Sequence, residues 1–459
     1  MTIDLRHPLP GNRPLVMGAG RSGLAAARLL VRHGLAVRVC DARPAAELVE
    51  VAHALRELGV DARFGTDAPP LLDGRDVVIW SPGVALTHPL AVAALAAGIP
   101  VLSELELGYL ASQAPLVCVT GTNGKSTTTD LVGALIRATG REVEVCGNIG
   151  RAICEVAERV GPTGLLVTEV SSFQLETVQR LKPFIATWLN LTPDHLDRHG
   201  DLERYGAVKQ RLFARQDEGD YAVWNADDPE VTRRRTGLAE PLEFSGLRAV
   251  GAGAHAHGSD IVLAWRGGRE RLMAARDLKL LGRHNLMNVL AALAATLPLE
   301  IAPPVLRGVL TRYGGLEHRL EPVDTVEGVR FVNDSKATNL GSLEVALESF
   351  DEPVVLIAGG RDKGQDFRPA RALALAKVKA AVLIGEGADA IARAWDGVPV
   401  ERAPTLAEAV RRAFGAARPA GTVLLSPGCA SFDMFRDYED RGRQFKAEVT
   451  RLKREEALT

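Results

Sequence analysis

The chain has 459 residues, 46% apolar and 24% charged, an ordinary globular composition with room for about three domains of roughly 150 residues each. Its 55 Lys and Arg nearly balance 57 Asp and Glu, which excludes the basic excess of a nucleic-acid binder and points to small-molecule partners. Five scattered cysteines form no C-x-x-C pair, no run nears the ~18 apolar residues of a bilayer span, and the N-terminus lacks a signal-peptide core, so the expectation is a cytoplasmic, reduced protein without membrane insertion.

The first segment alternates strand and helix patterns: strand 14–17, helix 24–32, strand 36–40, helix 47–58 and strand 77–80, which predicts a parallel sheet. Its first turn is a full G-x-G-x-x-G, Gly18-Ala-Gly20-Arg21-Ser22-Gly23, and Asp41 follows the second strand. Taken alone, this predicts a dinucleotide site, as in an NAD-dependent dehydrogenase.

A second segment opens with strand 116–119 and the turn Gly121-Thr122-Asn123-Gly124-Lys125-Ser126-Thr127-Thr128. Backbone N–H groups of such a turn converge on phosphate oxygens, Lys125 adds positive charge and the Ser126 hydroxyl can ligate Mg²⁺, all at a helix N-terminus. The strict pattern would have glycine where Val119 stands, so the match is the shortened form; a helix-capping turn is the bland alternative. Glu169 follows strand 165–168, where a phosphate-turn fold needs a carboxylate for Mg²⁺, though an acid near a helix start would also sit there.

Strand 185–191 leads into a run holding Asp194, His195, Asp197 and His199, in which His195 beside Asp194 suits a metal ligand or its orienter. A helix cap without chemistry is the alternative. Lys209, within a helical stretch at 202–213, reads alone as a solvated lysine on an exposed face. Residues 250–280, around Gly267-Gly268, predict a small antiparallel patch. His284-Asn285 opens a helix at 286–296, where Asn285 suits either a cap or a ligand contact.

The third segment repeats the alternation, with strands at 329–332, 353–358, 380–384 and 422–425 followed by the turns 333–338, 359–363 and 426–431. Ligands of open parallel sheets bind beyond the carboxyl ends of strands, so chemistry belongs in these turns. The fold class expected is therefore α/β, with three domains each built on a mainly parallel sheet with flanking helices.

These motifs in order (Gly121 to Thr127, Cys-Gly-Asn148-Ile-Gly, Glu169-Val-Ser-Ser-Phe-Gln-Leu-Glu, Asp-His195-Leu-Asp-Arg-His, His284-Asn285, His318-Arg319, Asn333-Asp334-Ser-Lys336-Ala-Thr338-Asn and Leu-Ser-Pro-Gly-Cys-Ala-Ser431-Phe-Asp) resemble the Mur ligases of peptidoglycan synthesis, in their glutamate-adding branch. The resemblance covers nearly the whole chain. It implies a Rossmann-like N-terminal domain for a uridine diphosphate sugar (1–103), a central P-loop ATPase domain (104–315) and a mobile, Rossmann-like C-terminal domain for the amino acid (316–459). The Gly18 to Gly23 turn would then cradle a UDP pyrophosphate, with Arg21, Ser22, Asp41, Arg43 and Ser81 around the nucleotide sugar.

By the same resemblance Ser126 and Glu169 would hold Mg²⁺ with ATP, and His195 and a carbamylated Lys209 a second ion. Asn148, His284 and Asn285 would lie near ATP or its metal-bound phosphates. Arg319, Asp334 and Lys336 would complete the nucleotide site from the third domain. Thr338, Lys363, Ser431 and Tyr438 would hold glutamate, with Tyr438 standing where many relatives have Phe. The reaction implied joins D-glutamate to the L-alanyl carboxylate of UDP-N-acetylmuramoyl-L-alanine through an acyl phosphate, in a monomer whose third domain closes over the nucleotide, with His195 or Asp194 as base. A sister Mur ligase and a folylpolyglutamate-synthase-like ligase are the nearest alternatives; the latter should lack the Gly18 to Gly23 domain, and a dehydrogenase has no use for Gly121 to Ser126.

Overall fold

In the computed structural model, which describes residues 9–280, 282–362 and 364–457, the strands gather into three sheets. The first holds β1 (Pro14–Met17), β2 (Arg38–Asp41), β3 (Asp61–Phe64), β4 (Val77–Trp80) and β5 (Val101–Ser103), all parallel, in the order β3-β2-β1-β4-β5. Both faces of its centre are covered, so β1 and β4 are continuous apolar runs: Val16, Val39 and Ile79 enter one cluster, while Leu15, Met17, Val78 and Trp80 enter another on the opposite face.

The second sheet holds β6 (Leu116–Thr120), β7 (Val143–Gly147), β8 (Leu165–Glu169), β9 (Ile185–Trp188), β10 (Tyr221–Asn225), β11 (Glu240–Ser245), β12 (Gly253–His257), β13 (Asp260–Trp265) and β14 (Gly268–Ala274). Its order is β14-β13-β12-β11-β10-β9-β6-β8-β7. The expected antiparallel patch is β12-β13-β14, appended to a parallel run. Its tight turn is Arg266-Gly267, both at positive φ (50° and 81°), the geometry that matches the twist of a two-residue hairpin.

The third sheet holds β15 (Glu321–Val326), β16 (Val329–Asn333), β17 (Val354–Gly359), β18 (Val378–Ile384), β19 (Val400–Arg402) and β20 (Gly421–Leu425), ordered β15-β16-β20-β17-β18-β19 and parallel except for β15. Alternate residues of β17 enter opposite cores: Val354, Leu356 and Ala358 on one side, Val355 and Ile357 on the other. Fully burying one such side chain contributes roughly 1.5–3 kcal/mol, which fixes the register because a one-residue slip would exchange every partner.

The chain divides into two compact units, residues 1–277 with 286–311, and residues 278–285 with 312–459. The first unit holds two sheets because one hydrophobic cluster runs through both, from Val16 and Leu30 through Leu105 and Leu110 to Ile153, Leu166 and Trp188. The connecting helix Glu104–Ala111 is buried throughout. Ser103 caps it, accepting from the Glu106 N–H at 3.2 Å, and the buried Glu106 carboxylate accepts the backbone N–H groups of Gln179, Arg180 and Leu181.

Candidate active site

The first cradle forms beyond the carboxyl ends of β1, β2 and β4. Gly18 adopts φ +92°, and a Cβ there would come 2.9 Å from the Ser81 Cβ; a Cβ on Gly23 would come 1.8 Å from the Gly18 carbonyl oxygen. Gly20 is the N-cap of helix Arg21–Arg32 and offers it no side-chain bond, leaving the positive end of the helix dipole to a ligand. Asp41 is buried; its carboxylate accepts the Ala19 N–H (2.8 Å) and a two-point pair from Arg43. Arg43 holds the Asp41 pKa down to about 2. Arg21 is exposed and reaches the Gly150 carbonyl at 3.3 Å, while Ser22 is half-buried.

The second constellation lies beyond β6, β8 and β9. Gly121 (φ +157°) and Gly124 (φ +81°) bracket the phosphate turn, and a Cβ on Gly124 would lie 2.2 Å from Asn288 Oδ1, which Thr128 Oγ1 also reaches at 3.4 Å. Gly124 is the N-cap of helix Lys125–Arg137 and carries no capping side chain. Ser126 and Thr127, in its first turn, are buried. The expectation that the amides of Gly121 to Lys125 all face phosphate is corrected for two of them. The Thr122 and Asn123 N–H groups donate to Asn190 Oδ1 (3.0 and 2.8 Å), so the residue ending the β9 connection moulds the turn. The Asn190 side chain returns a bond to the Asn123 carbonyl at 3.1 Å.

Glu169 ends β8 and lies opposite Gly147 of β7 and Val119 of β6. It is 1% exposed; Oε1 accepts from Asn148 Nδ2 at 2.7 Å, and Oε2 is buried without a hydrogen-bond partner among the described residues. A buried carboxylate oxygen left unsatisfied is costly unless something cationic completes it, so the donor set fits a hard divalent ion. His195, half-exposed at φ +52°, lies 3.5 Å from Asp194 through Nε2, with its ring 4.8 Å from that of Phe173.

Lys209 overturns its sequence reading. It is 1% exposed rather than solvated, because helix Leu202–Gln210 turns Tyr205, Gly206 and Lys209 inward. Its Nζ donates to the Gly121 carbonyl at 2.9 Å and lies 4.6 Å from the Tyr205 ring centroid. Lys125 Nζ donates to the same carbonyl at 3.0 Å and to that of Thr122 at 2.7 Å. Burial, and then the Lys125 charge, push the Lys209 pKa well below the usual lysine range. The i, i+4 spacing of Tyr205 and Lys209 was the signal available in the sequence.

In the second unit, Asp334 follows β16 and is buried, accepting from Leu320 N–H (3.2 Å) and Ser426 Oγ–H (2.8 Å); burial raises its pKa to about 7. The Lys336 N–H donates to the His318 carbonyl at 3.0 Å, which ties the turn bearing Lys336 to the loop bearing Arg319. Lys336 Nζ lies 3.7 Å from the ring centroid of Tyr438, so the ring at position 438 has a cationic neighbour. Ser431 is buried and Thr338 half-buried. Arg441, which the sequence reading missed, is fully buried and donates to Ser335 Oγ and to the carbonyls of Ser335 and Cys429, joining these turns. His284 is half-buried, with Nδ1 3.2 Å from Ser349 Oγ and its pKa lowered by burial, and Asn285 is buried. Lys363 lies outside the described residues.

Glu317, His318 and Glu321 bring three candidate metal-ligand atoms together. The hydrogen bonds assign them otherwise. The Ser335 N–H donates to Asn333 Oδ1 (3.2 Å), which orients the amide so that Nδ2 donates to His318 Nδ1 (2.8 Å) and Glu321 Oε2 (2.9 Å). His318 Nε2 then carries the ring proton, and Lys446 already pairs with both carboxylates.

The chain matches the Mur ligase MurD-like N-terminal domain over residues 12–103, the Mur ligase middle domain over 119–296 and the Mur ligase glutamate ligase domain over 318–429. A UDP-N-acetylmuramoylalanine--D-glutamate ligase of Pelotomaculum thermopropionicum is 45% identical over 448 residues, covering 96% of this chain and 98% of the relative. The chain belongs to the Mur ligase family. A Salinibacter ruber relative of the same name is 42% identical, again over 96% of this chain and 98% of its own length. Among solved structures, the Thermotoga maritima UDP-N-acetylmuramate-alanine ligase superposes with a TM-score of 0.58 at 20% identity, covering 96% of this chain and all of that one, which shows the shared three-sheet Mur ligase fold.

Proposed function

We propose that this chain joins D-glutamate to the L-alanyl carboxylate of UDP-N-acetylmuramoyl-L-alanine at the expense of ATP, a step of peptidoglycan precursor synthesis in the cytoplasm, working as a monomer. The observation that carries the reading is the phosphate turn in which Lys125 and Lys209 converge on one carbonyl, with Glu169 across the neighbouring strand holding an unpartnered oxygen. Relatives so named, at 45% and 42% identity over nearly the whole chain, support the choice of substrate.

A carboxylate cannot expel oxide, so it must first be activated. Attack of the L-alanyl carboxylate on the γ-phosphate of ATP gives an acyl phosphate and ADP; attack of the glutamate amine then expels phosphate. Lys125 would offset charge on the transferring phosphoryl group, and the uncapped start of helix Lys125–Arg137 supports binding of the phosphates there. Thr122 to Thr128 and Asn148 surround the nucleotide, while Arg319, Asp334, Lys336, His284 and Asn285 supply its remaining contacts. Ser126 and Glu169 would hold Mg²⁺, which when bound supplies electrophilic stabilisation of the phosphoryl oxygens.

Lys209, whose pKa burial and then the Lys125 charge lower, would add carbon dioxide with loss of a proton, replacing an amine by a carbamate anion; with His195 it would hold a second ion. His195 or Asp194 takes the proton from the incoming amine. Thr338, Lys363, Ser431 and Tyr438 hold the glutamate, and Gly18 to Gly23 with Asp41, Arg43 and Ser81 hold the nucleotide sugar.

The reading is tested by ADP release with Mg²⁺-ATP and UDP-N-acetylmuramoyl-L-alanine, comparing D-glutamate, L-glutamate and no amino acid. Release is expected with D-glutamate alone; release with L-glutamate only, or with neither isomer, refutes the assignment.

A further inference from the structure

Arg198 lies in the short helix Leu196–His199, three residues after His195, and its side chain is only 12% exposed. Its guanidinium is held from three directions. Nε and Nη2 donate to the two oxygens of Glu176, at 2.9 and 2.5 Å. Nη1 donates to the Pro82 carbonyl (3.1 Å) and Nη2 to the Val84 carbonyl (2.9 Å), while the guanidinium carbon sits 4.5 Å from the Phe173 ring centroid.

The partners belong to different parts of the site. Pro82 and Val84 are in the loop leaving β4, which starts at Ser81 against Gly18 in the nucleotide-sugar cradle. The Trp80 indole N–H donates to the same Val84 carbonyl at 2.8 Å, so that loop is fixed from two sides. Glu176 and Phe173 lie in the segment that follows Glu169, and the Phe173 ring packs against His195. His199 completes the junction, with Nε2 3.0 Å from Ser172 Oγ. One guanidinium thus ties the cradle loop of the first sheet to both loops of the second sheet that carry candidate metal ligands.

We infer that Arg198 is a positioning residue that sets the span between the nucleotide-sugar cradle and the phosphate turn. The inference rests on the proposed ligation, in which the substrate is anchored at its uridine end and reacts at its alanyl end. In-line transfer needs the reacting atoms about 3–3.5 Å apart, so a drift of either loop takes the carboxylate away from the phosphoryl group. Exposed ion pairs hold loops weakly, but a nearly buried two-point pair with two further carbonyl acceptors allows few alternative placements. A lysine would keep the charge and lose the fork.

The test uses R198K, R198M and E176Q in the full-length chain. For both Arg198 variants the expected result is a fall of about 100-fold in kcat/KM for UDP-N-acetylmuramoyl-L-alanine, carried partly by a higher KM. Affinity for ADP in the absence of the sugar nucleotide is unchanged. Amide exchange in residues 81–88 accelerates while β6 stays protected, and R198M/E176Q is no worse than R198M alone, because the two side chains act as one unit. Wild-type kinetics in R198K, or ADP affinity and β6 protection lost in step with turnover, would overturn the inference, the latter by making Arg198 a general stabiliser. If the wild-type chain shows no D-glutamate-dependent ADP release, the proposed ligation fails. Unaltered exchange at 81–88 in R198M would then still refute the positioning role.

Discussion

Burial, and then the charge of Lys125, which donates to the same Gly121 carbonyl, make Lys209 give up its proton more readily. The carbamate proposed for Lys209 relies on this; read alone, its place in a helix suggested an exposed lysine, and only the i, i+4 spacing with Tyr205 pointed inward. Lys209→Ala removes the group that would carry the proposed carbamate while leaving Lys125 and the turn in place. Activity is expected to fall by at least about 100-fold and to recover in part with formate or acetate, whose carboxylates can occupy the vacated space. Initial rates of ADP release with and without the acid check this; full activity of Lys209→Ala without additive refutes a carbamate at this position. Glu169 shows a different kind of legibility. Its place at the end of β8 was readable from the strand pattern, but only the structure reveals that one oxygen is held by Asn148 while the other has no partner among the described residues.

Within the turn Gly18 to Gly23 the three glycines are required for different reasons. A Cβ on Gly23 would strike the Gly18 carbonyl at 1.8 Å, whereas a Cβ on Gly20 meets nothing within 4 Å, and Gly20 sits at φ −78°, which any residue adopts. Gly23→Ala is therefore expected to destabilise the first unit by about 3 kcal/mol through overpacking. Gly20→Ala should leave stability unchanged and weaken nucleotide-sugar binding, because in the proposed reading the backbone there comes close to the pyrophosphate. Urea unfolding and UDP titration of both variants separate the two roles; loss of stability in Gly20→Ala, or none in Gly23→Ala, contradicts them. The strands whose residues are buried on both faces, such as β1, β4, β6 and β17, could be read as apolar runs. Edge strands β3 and β19 could not: Asp61–Phe64 and Val400–Arg402 are partly exposed and polar, and they pair only because a neighbouring strand offers its edge. Strand β15 was missed for a related reason, since it adds antiparallel to the edge of a parallel sheet and carries no crossover helix to announce it.

At the scale of the whole molecule, the sequence separated three α/β segments but not the way the first two share a core, because residues such as Leu110 and Ile153 meet only in three dimensions. Glu104 lies in that shared core, at the start of the connecting helix. Its Oε1 accepts the Cys154 N–H at 2.8 Å and its Oε2 has no partner among the described residues. Burial raises its pKa from 4.5 to about 7, with Glu155 adding a smaller push in the same direction. A folded-state pKa above the unfolded one means that the folded chain holds the proton more tightly. The contribution to stability is therefore full below pH 4.5 and is lost as the pH rises through about 7. Glu104→Gln imitates the protonated acid and removes the titration. Unfolding free energies from urea should nearly coincide for variant and wild type at acid pH, then diverge until the variant is the more stable by on the order of 3 kcal/mol above pH 8. Asp334, raised to about 7 by burial in the second unit, adds a slope of the same sign, but Glu104→Gln leaves it untouched, so the difference between the two curves isolates Glu104. A constant offset between the curves across this range would mean that Glu104 does not change its charge there, and that the junction of the first two sheets tolerates a carboxylate anion.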